Sequence, residues 1–250
     1  MPARFIAVAS AISVGIGGVL FGAPASAEVQ PAVLSATVSP TNVTIDSPTT
    51  RHINVSVVLS APADAYGLDA IAIDPVTLMS EDIRFKNPSG DGLTWIGDIQ
   101  TSRYDWYYGT YGIGNFEVDW WEGVKYESTY HSNEAISSPP LGYTIKGATR
   151  LSISKSRNLK RGKALAVRGN LTRFDSVGFD GFAKGTAVLQ QRRPGKPWNR
   201  LTSRIASQYE NGALAVSVKP KSTTYYRWVF AETRDSVAAT SKAMKVTVVR

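Results

Sequence analysis

Residues 211–230, NGALAVSVKPKSTTYYRWVF, decide the fold of this chain. Two runs, Ala213–Val218 within this stretch and Thr224–Ala231, which extends one residue beyond it, place an apolar side chain at every second position. A period of two is that of a β-strand with one buried face, because successive side chains of a strand point to opposite sides. The pair Asn211-Gly212 before the first run tolerates a tight reversal of the chain. The stretch therefore predicts two strands, each buried on one side.

The same pattern continues outward on both sides of this stretch. Turn-forming pairs such as Arg161-Gly162 and Pro194-Gly195 separate the runs. Seven short strands in about 100 residues are typical of a two-sheet sandwich. The five further predicted strands are Arg150–Lys155, Ala164–Thr172, Thr186–Arg192, Arg200–Ala206 and Lys242–Val249.

Several residues of this half follow one another in a recognisable order. Their order and spacing resemble those of the immunoglobulin-like repeat of actinobacterial secreted proteins over residues 150–250. The resemblance implies a sandwich fold and an extracellular setting, and it carries no catalytic residues to transfer. The residues that carry it are Gly185–Arg193 (GTAVLQQRR), Trp198, Gly212, Thr223–Phe230 (TTYYRWVF), Ser241 and Val246–Val248.

The first half also consists of predicted strands, separated by proline and glycine turns. The segment Gly92–Gly97, GLTWIG, and the aromatic strand after it are loosely similar to other bacterial immunoglobulin-like domains. We therefore expect an all-β protein with two tandem immunoglobulin-like β-sandwich domains. The predicted strands here are Val33–Val38, Ile53–Leu59, Ala70–Ile73, Asp82–Phe85, Leu93–Gln100, Tyr104–Tyr108, Asn115–Trp121 and Val124–Tyr130.

Charge divides the chain near residue 147. Residues 28–146 contain 15 acidic and 6 basic side chains, a net charge of −9, whereas residues 147–250 carry a net charge of +16. An asymmetry of this size is a domain-boundary signal, and it coincides with the proline and glycine residues of Ser137–Gly147. We expect an acidic domain over 28–146, a basic domain over 147–250, and a loose, salt-dependent attraction between them.

The N-terminus has the pattern of a secretory signal peptide. Arg4 precedes the apolar run Phe5–Phe21, and Ala25–Ala27 supplies a small-x-small cleavage site. Residues 1–27 are thus a predicted signal peptide, and the mature chain is expected to begin at Glu28, without a transmembrane segment, and to be extracellular. The chain contains no cysteine, which excludes disulfides, thiol nucleophiles and thiolate metal sites.

The sequence gives little support for catalysis. His52 and His131 are the only histidines, and neither belongs to a nucleophile or metal-binding motif. No phosphate-binding loop or calcium-loop spacing occurs, so we expect no cofactor and no metal. Glu117 and Asp119 share one predicted strand face, which is the ordinary wet side of a half-buried strand. The alternative is a secreted hydrolase that uses these carboxylates on a polysaccharide.

An aromatic segment forms the first candidate binding surface. Eight of the 18 residues from Tyr104 to Trp121 are aromatic. If the even-numbered residues of these strands face the core, Tyr107 and Trp121 point outward beside Glu117 and Asp119 and could support a sugar ring or a protein partner. The alternative is a thick aromatic core.

A basic segment forms the second candidate surface. We expect it either to bind an anionic envelope polymer or another secreted protein, or to be a solvated face partly neutralised by the acidic half. Export makes nucleic acid an unexpected partner. The chain is thus predicted to be a secreted, non-catalytic binding or structural module. The candidate residues here are Arg192, Arg193, Lys196, Trp198 and Arg200.

Overall fold

The computed structural model describes most of the chain after residue 30. It covers residues 31–63, 67–78, 80–101, 108–122, 125–131, 141–175, 177–207 and 211–249, with the side chains of 120–131 excepted. All regular secondary structure in the described residues is β-strand, which confirms the prediction of an all-β protein. The predicted signal peptide lies outside the described residues. No helix in the described part of the chain is long and apolar enough to cross a bilayer.

The strands of the first half are hydrogen-bonded in one continuous order, β1-β3-β6-β5-β4-β7-β9-β2, with β8 paired to β7. Strand β5 joins two layers, β1-β3-β6 and β5-β4-β7-β9-β2, because it pairs with both β4 and β6. All pairs are antiparallel except β2 with β9, which is parallel. The strands are β1 Val33–Ser39, β2 Asn42–Ile45, β3 Arg51–Leu59, β4 Leu68–Ile73, β5 Ser80–Lys86, β6 Thr94–Thr101, β7 Gly109–Glu122, β8 Lys125–His131 and β9 Gly142–Gly147.

The second half has the same two layers, here as two separate sheets. One sheet has the order β10-β12-β16, with β13 also on β12, and the other has the order β11-β19-β17-β14-β15, with β18 on β17. The pair β11 with β19 is parallel. The strands are β10 Thr149–Leu151, β11 Arg157–Lys160, β12 Leu165–Phe174, β13 Phe179–Gly181, β14 Thr186–Arg192, β15 Asn199–Ile205, β16 Ala213–Val218, β17 Thr224–Phe230, β18 Ala239–Thr240 and β19 Met244–Val249.

The two halves share one strand order although their sequences show no repeat. One layer is β1-β3-β6 in the first half and β10-β12-β16 in the second. The other layer ends in a parallel pair in both halves, β2 with β9 and β11 with β19. This division of strands is that of an immunoglobulin-like sandwich. The prediction of immunoglobulin-like β-sandwiches is therefore confirmed by the strand order itself.

The buried side chains form two clusters, one for each half. Trp95 and Phe116 are fully buried in the first cluster, and Trp228 is fully buried in the second. The alternating faces predicted from the sequence are the buried ones: Tyr226, Trp228 and Phe230 are at most 2% exposed. Phe174, from the second half of the chain, packs in the first cluster. The division into two domains at residue 147 stays a prediction.

One side of the first sandwich is closed by a strand that contacts both sheets. The first residues of β5 pair with β4, and its last two pair with β6 as Phe85↔Gly97 and Lys86↔Ile96. Gly97 allows this close approach, because a Cβ atom there would lie 2.6 Å from Ile83 Cγ2. Ile83 and Phe85 on β5 point inward and are buried.

The corresponding side of the second sandwich is open. β15 is paired with β14 alone, and β16 is paired with β12 alone, among the residues that the structure describes. The inward positions of β15 are set by its register with the buried residues of β14: Ala187 faces Arg204, and Leu189 faces Thr202. A cationic and a polar side chain thus occupy positions where β5 has isoleucine and phenylalanine, and they leave a cleft between the two sheets.

The predicted connection at Ser137–Gly147 is wrong over its second part. Gly142–Gly147 is strand β9, which pairs antiparallel with β7 and parallel with β2. Its two glycines suggested a turn, but Gly142 is required in the sheet, where a Cβ atom would lie 2.4 Å from the Tyr111 carbonyl oxygen. Residues 137–140 lie outside the described residues. Since β10 begins at Thr149, only Ala148 separates the last strand of the first half from the first strand of the second.

Contacts at the junction between the halves go beyond the loose attraction expected from net charge. Arg234 pairs with Asp74, which is fully buried, and Lys146 pairs with Glu232. The N–H of Gly147 donates to the Asp235 carbonyl at 3.0 Å, and the N–H of Val237 donates back to the Gly147 carbonyl at 3.0 Å. Backbone hydrogen bonds and a buried carboxylate define a specific geometry that diffuse surface charge does not provide.

A basic cleft as the candidate functional site

The open side of the second sandwich is a cleft of about 890 Å³. It lies between the edge strands β15 and β16 and extends under the loop after β16 and the hairpin between β14 and β15. This volume is in the range of pockets that hold a small-molecule ligand. Its lining residues are Gln191, Arg192, Arg193, Lys196, Pro197, Asn199, Leu201, Thr202, Arg204, Val216, Ser217, Val218, Lys219, Pro220, Lys221, Ser222, Thr224 and Tyr226.

The charge of the cleft is of one sign. Six of its lining residues are lysine or arginine, and no aspartate or glutamate lies among them. None of the ion pairs found among the described residues involves any of these six side chains. Cations that converge on a low-dielectric concave surface without internal counter-ions create a positive field that attracts anions.

The floor of the cleft is apolar and is part of the second core. Val216 and Val218 on β16 are each 7% exposed, and Tyr226 on β17 is 1% exposed. Burial raises the pKa of the Tyr226 hydroxyl, so the phenol stays neutral. The cleft therefore joins a rigid apolar base to a cationic rim.

An aromatic stack on the outer face of the sheet fixes the hairpin that carries part of this rim. The guanidinium carbons of Arg192 and Arg227 lie 4.8 Å and 4.3 Å from the Trp198 ring centroid. Arg227 Nε also donates to the Gln190 side chain at 2.8 Å. Cation–π contacts of this kind contribute about 0.5–1 kcal/mol each at exposed sites. They tie the two ends of the hairpin together and so position the intervening residues at the mouth of the cleft.

The five candidate residues of the basic segment divide into three that line the cleft and two that do not. Arg192, Arg193 and Lys196 line the cleft, whereas Trp198 supports it from the outer face. Arg200 lies opposite Gln190 on the outer face and does not line the cleft.

Sequence reasoning missed three cations of the cleft, Arg204, Lys219 and Lys221. Lys219 and Lys221 stand in a loop whose path no local pattern reveals. Arg204 had a signal, because Thr202 and Arg204 stand two residues apart in β15 at positions that must face inward once β14 is its neighbour. Recognising that signal requires the pairing of β15 with β14 to be known.

The acidic candidates of the first half lie on the outer face of β4 and β7. Glu117 is directly opposite Asp69 in the register, and Phe116 and Val118 beside it are fully buried, as the alternation predicted. Burial, with repulsion from Asp119 and Glu117, raises the pKa of Asp69. Asp69 and Glu117 line a shallow space of about 530 Å³. No cluster of three or more potential metal-ligating side chains occurs within the described ranges.

Two aromatic candidates remain untested. Tyr107 lies outside the described residues, and for Trp121 the structure places the backbone in β7 without its side chain.

The histidine His52 is an exposed residue of β3. Its Nδ1 lies 2.9 Å from Asp98 Oδ1 on the neighbouring strand β6, and both side chains are well exposed. This is a cross-strand polar pair on the wet face of a sheet. No serine or threonine hydroxyl is bonded to the imidazole in the hydrogen bonds of the described residues, so the nucleophile-and-base arrangement of a hydrolase is not formed there.

Comparison with known proteins gives no family. No family model matches the chain, and no curated protein matches it. Among solved structures, a DUF4785 family protein from Legionella pneumophila aligns at a TM-score of 0.32 and 10% identity, covering 78% of this chain and 52% of that one. A marsupial T cell receptor aligns at a TM-score of 0.39 and 12% identity, covering 88% and 73% of the two chains. The chain thus spans about half the length of the Legionella protein. Because both TM-scores are low, the identification of the sandwiches rests on the strand order of the two halves.

Proposed function

We propose that this protein is a secreted, non-catalytic binding module that holds an anionic partner at the cell envelope in its basic cleft. The observation that carries the proposal is the set of six cations around one cleft, without a carboxylate among the lining residues. A solvated basic face with a purely solubilising role has no need to converge on a concave surface. The structure of the cleft therefore favours binding over the alternative of a neutralised surface.

Two sequence features support the extracellular setting. The chain begins with a signal-peptide pattern, and over residues 150–250 it resembles the immunoglobulin-like repeat of actinobacterial secreted proteins. The partner is then an anionic component that is exposed outside the membrane.

The test is binding of the mature protein to isolated Gram-positive envelopes and to inorganic polyphosphate over a range of salt concentrations. We expect the affinity for polyphosphate to fall as salt rises, with a log–log slope of about −4 if all six cations engage. The double variant Lys219→Gln and Lys221→Gln should weaken binding strongly. The control Lys155→Gln and Lys160→Gln removes the same charge from residues outside the cleft and should change affinity little. Salt-independent binding, or equal effects of the two pairs, would contradict the proposal.

One observation favours a second candidate, a carboxylate-dependent hydrolase of polysaccharide. Burial raises the pKa of Asp69, and this residue faces Glu117 across neighbouring strands; a pair of carboxyl groups is what glycoside hydrolysis uses. Release of reducing ends from wall polysaccharide, abolished by Glu117→Gln, would establish this activity. Intact polysaccharide after prolonged incubation would leave the binding module as the function.

A further inference from the structure

The cleft is bounded by two sheet edges that lack strand partners. β15 has β14 on one side only, and β16 has β12 on one side only, within the described residues. An unpaired edge presents a row of N–H and C=O groups that can pair with another extended chain. In the first half the equivalent strands β5 and β6 pair with each other, so these two edges are not available to another chain where they pair.

The side chains of the open edge decide which chain it accepts. Because alternate residues of a strand share a face, every second residue of a strand added to β15 would point into the cleft. There it would meet Arg204 and Thr202 from β15, and Lys219 and Lys221 from the loop after β16. An apolar strand would leave these cations desolvated and unpaired, at a cost in free energy. A strand with acidic residues at alternate positions would instead form charge-assisted hydrogen bonds with them.

We propose that the cleft binds an extended acidic polypeptide segment, which adds as a strand to the free edge of β15 and turns its carboxylates toward Arg204. This inference rests on the proposed function, because it names the partner of the same cleft. Strand addition divides the recognition into two parts: main-chain hydrogen bonds supply affinity, and the alternating pockets supply specificity. A polyphosphate or a polyol phosphate would satisfy the cations but would leave the strand edge unpaired.

The probe is a fluorescein-labelled nine-residue peptide of alternating glutamate and valine. Its control is a peptoid with the same side-chain order, which keeps the charge but has no backbone N–H donor. We expect the peptide to bind the mature protein at least about tenfold more tightly than the peptoid, because the peptoid cannot donate main-chain hydrogen bonds to the edge of β15. Bound peptide should also slow amide hydrogen exchange in residues 199–205, which a purely electrostatic ligand would not do.

Two arginines of the same strand provide matched variants. Arg204 faces the cleft, and Arg200 faces the outer side of the sheet. We expect Arg204→Gln to weaken peptide binding about tenfold, the usual effect of losing one charge-assisted hydrogen bond, and Arg200→Gln to weaken it less than about twofold. Both variants remove one positive charge, so a difference between them reports position and not net charge.

The outcomes separate this inference from the proposed function. Equal affinity for peptide and peptoid, or unchanged exchange in residues 199–205, would overturn strand addition. Binding of polyphosphate without binding of the peptide would also overturn it while leaving the proposed function standing. If neither probe binds, both are wrong.

Discussion

Trp228 illustrates how a single side chain organises the second sandwich. It is fully buried, and its backbone N–H donates to the Ser241 hydroxyl at 2.9 Å. Gly169 on β12 leaves room for it, since a Cβ atom there would lie 2.8 Å from the indole Cδ1. The tryptophan therefore connects the two sheets by direct packing across the core.

We expect Trp228→Ala to lower the free energy of unfolding by about 3–5 kcal/mol, because removal of a large buried aromatic leaves a cavity. Denaturant unfolding of the mature protein, followed by circular dichroism, measures this change. Trp198→Ala is the control, since Trp198 is only partly buried on the outer face and should cost much less. A loss below about 1 kcal/mol for Trp228→Ala would mean that the core does not depend on this residue.

At the scale of single strands, the contrast between β5 and β15 explains why one sandwich is closed and the other open. Closure in the first half depends on Gly97, where β5 crosses to β6. The open side in the second half depends on the inward polar residues of β15. An inward charge on an edge strand is a known way of preventing further strand pairing with apolar partners.

Gly97→Ala should destabilise the first half by about 1–3 kcal/mol, because the new methyl group would press on Ile83 and Phe85 in a packed core. Gly112→Ala is the matched control: it is also a strand glycine, but a Cβ atom there meets only the Ile73 carbonyl oxygen, at 3.9 Å. Thermal unfolding of the two variants compares them directly. A Gly97→Ala protein as stable as Gly112→Ala would show that β5 and β6 do not pack closely.

Much of the strand pattern could be predicted from the sequence where one face alternates clearly. Thr186–Arg192 and Ala213–Val218 were predicted with the bounds that β14 and β16 have. The short strands β2 and β11 were missed, because each has only four residues and gains its stability from a parallel partner distant in the sequence. Three of the six cations in the cleft were predicted from a local basic cluster; the others meet them only through the pairing of β14 with β15 and the path of the loop after β16.

At the scale of the whole molecule, the two halves meet through groups that titrate in acid. Burial acts to raise the pKa of Asp74, but hydrogen bonds from the Val76 N–H and from Arg234 outweigh it and hold the pKa below the usual value of an aspartate. Burial also acts to raise the pKa of Asp235. Hydrogen bonds from Thr233 and Ser236, together with the positive charge of Arg173, outweigh burial and lower this pKa. Both carboxylates are thus held ionised by contacts that include residues of the junction.

We expect these contacts to stabilise the protein above pH 4 and to be lost progressively as the pH falls through the lowered folded pKa values. A group whose pKa is lower in the folded state than in the unfolded state stabilises the fold only while it is ionised. Urea unfolding between pH 6 and pH 2 measures the decline, and Asp74→Asn should make it shallower. Asp46→Asn, at an exposed pair with Arg51, is the control. An unchanged pH profile in Asp74→Asn would contradict a role for this carboxylate.

The parallel pairs β2 with β9 and β11 with β19 have a mechanical consequence. In each half an early strand lies beside the last strand and runs in the same direction, over four residue pairs. Tension applied between the two ends of a half therefore slides these strands along each other, and their hydrogen bonds share the force instead of opening one by one. With only Ala148 between β9 and β10, a pull passes from one half to the next with little slack.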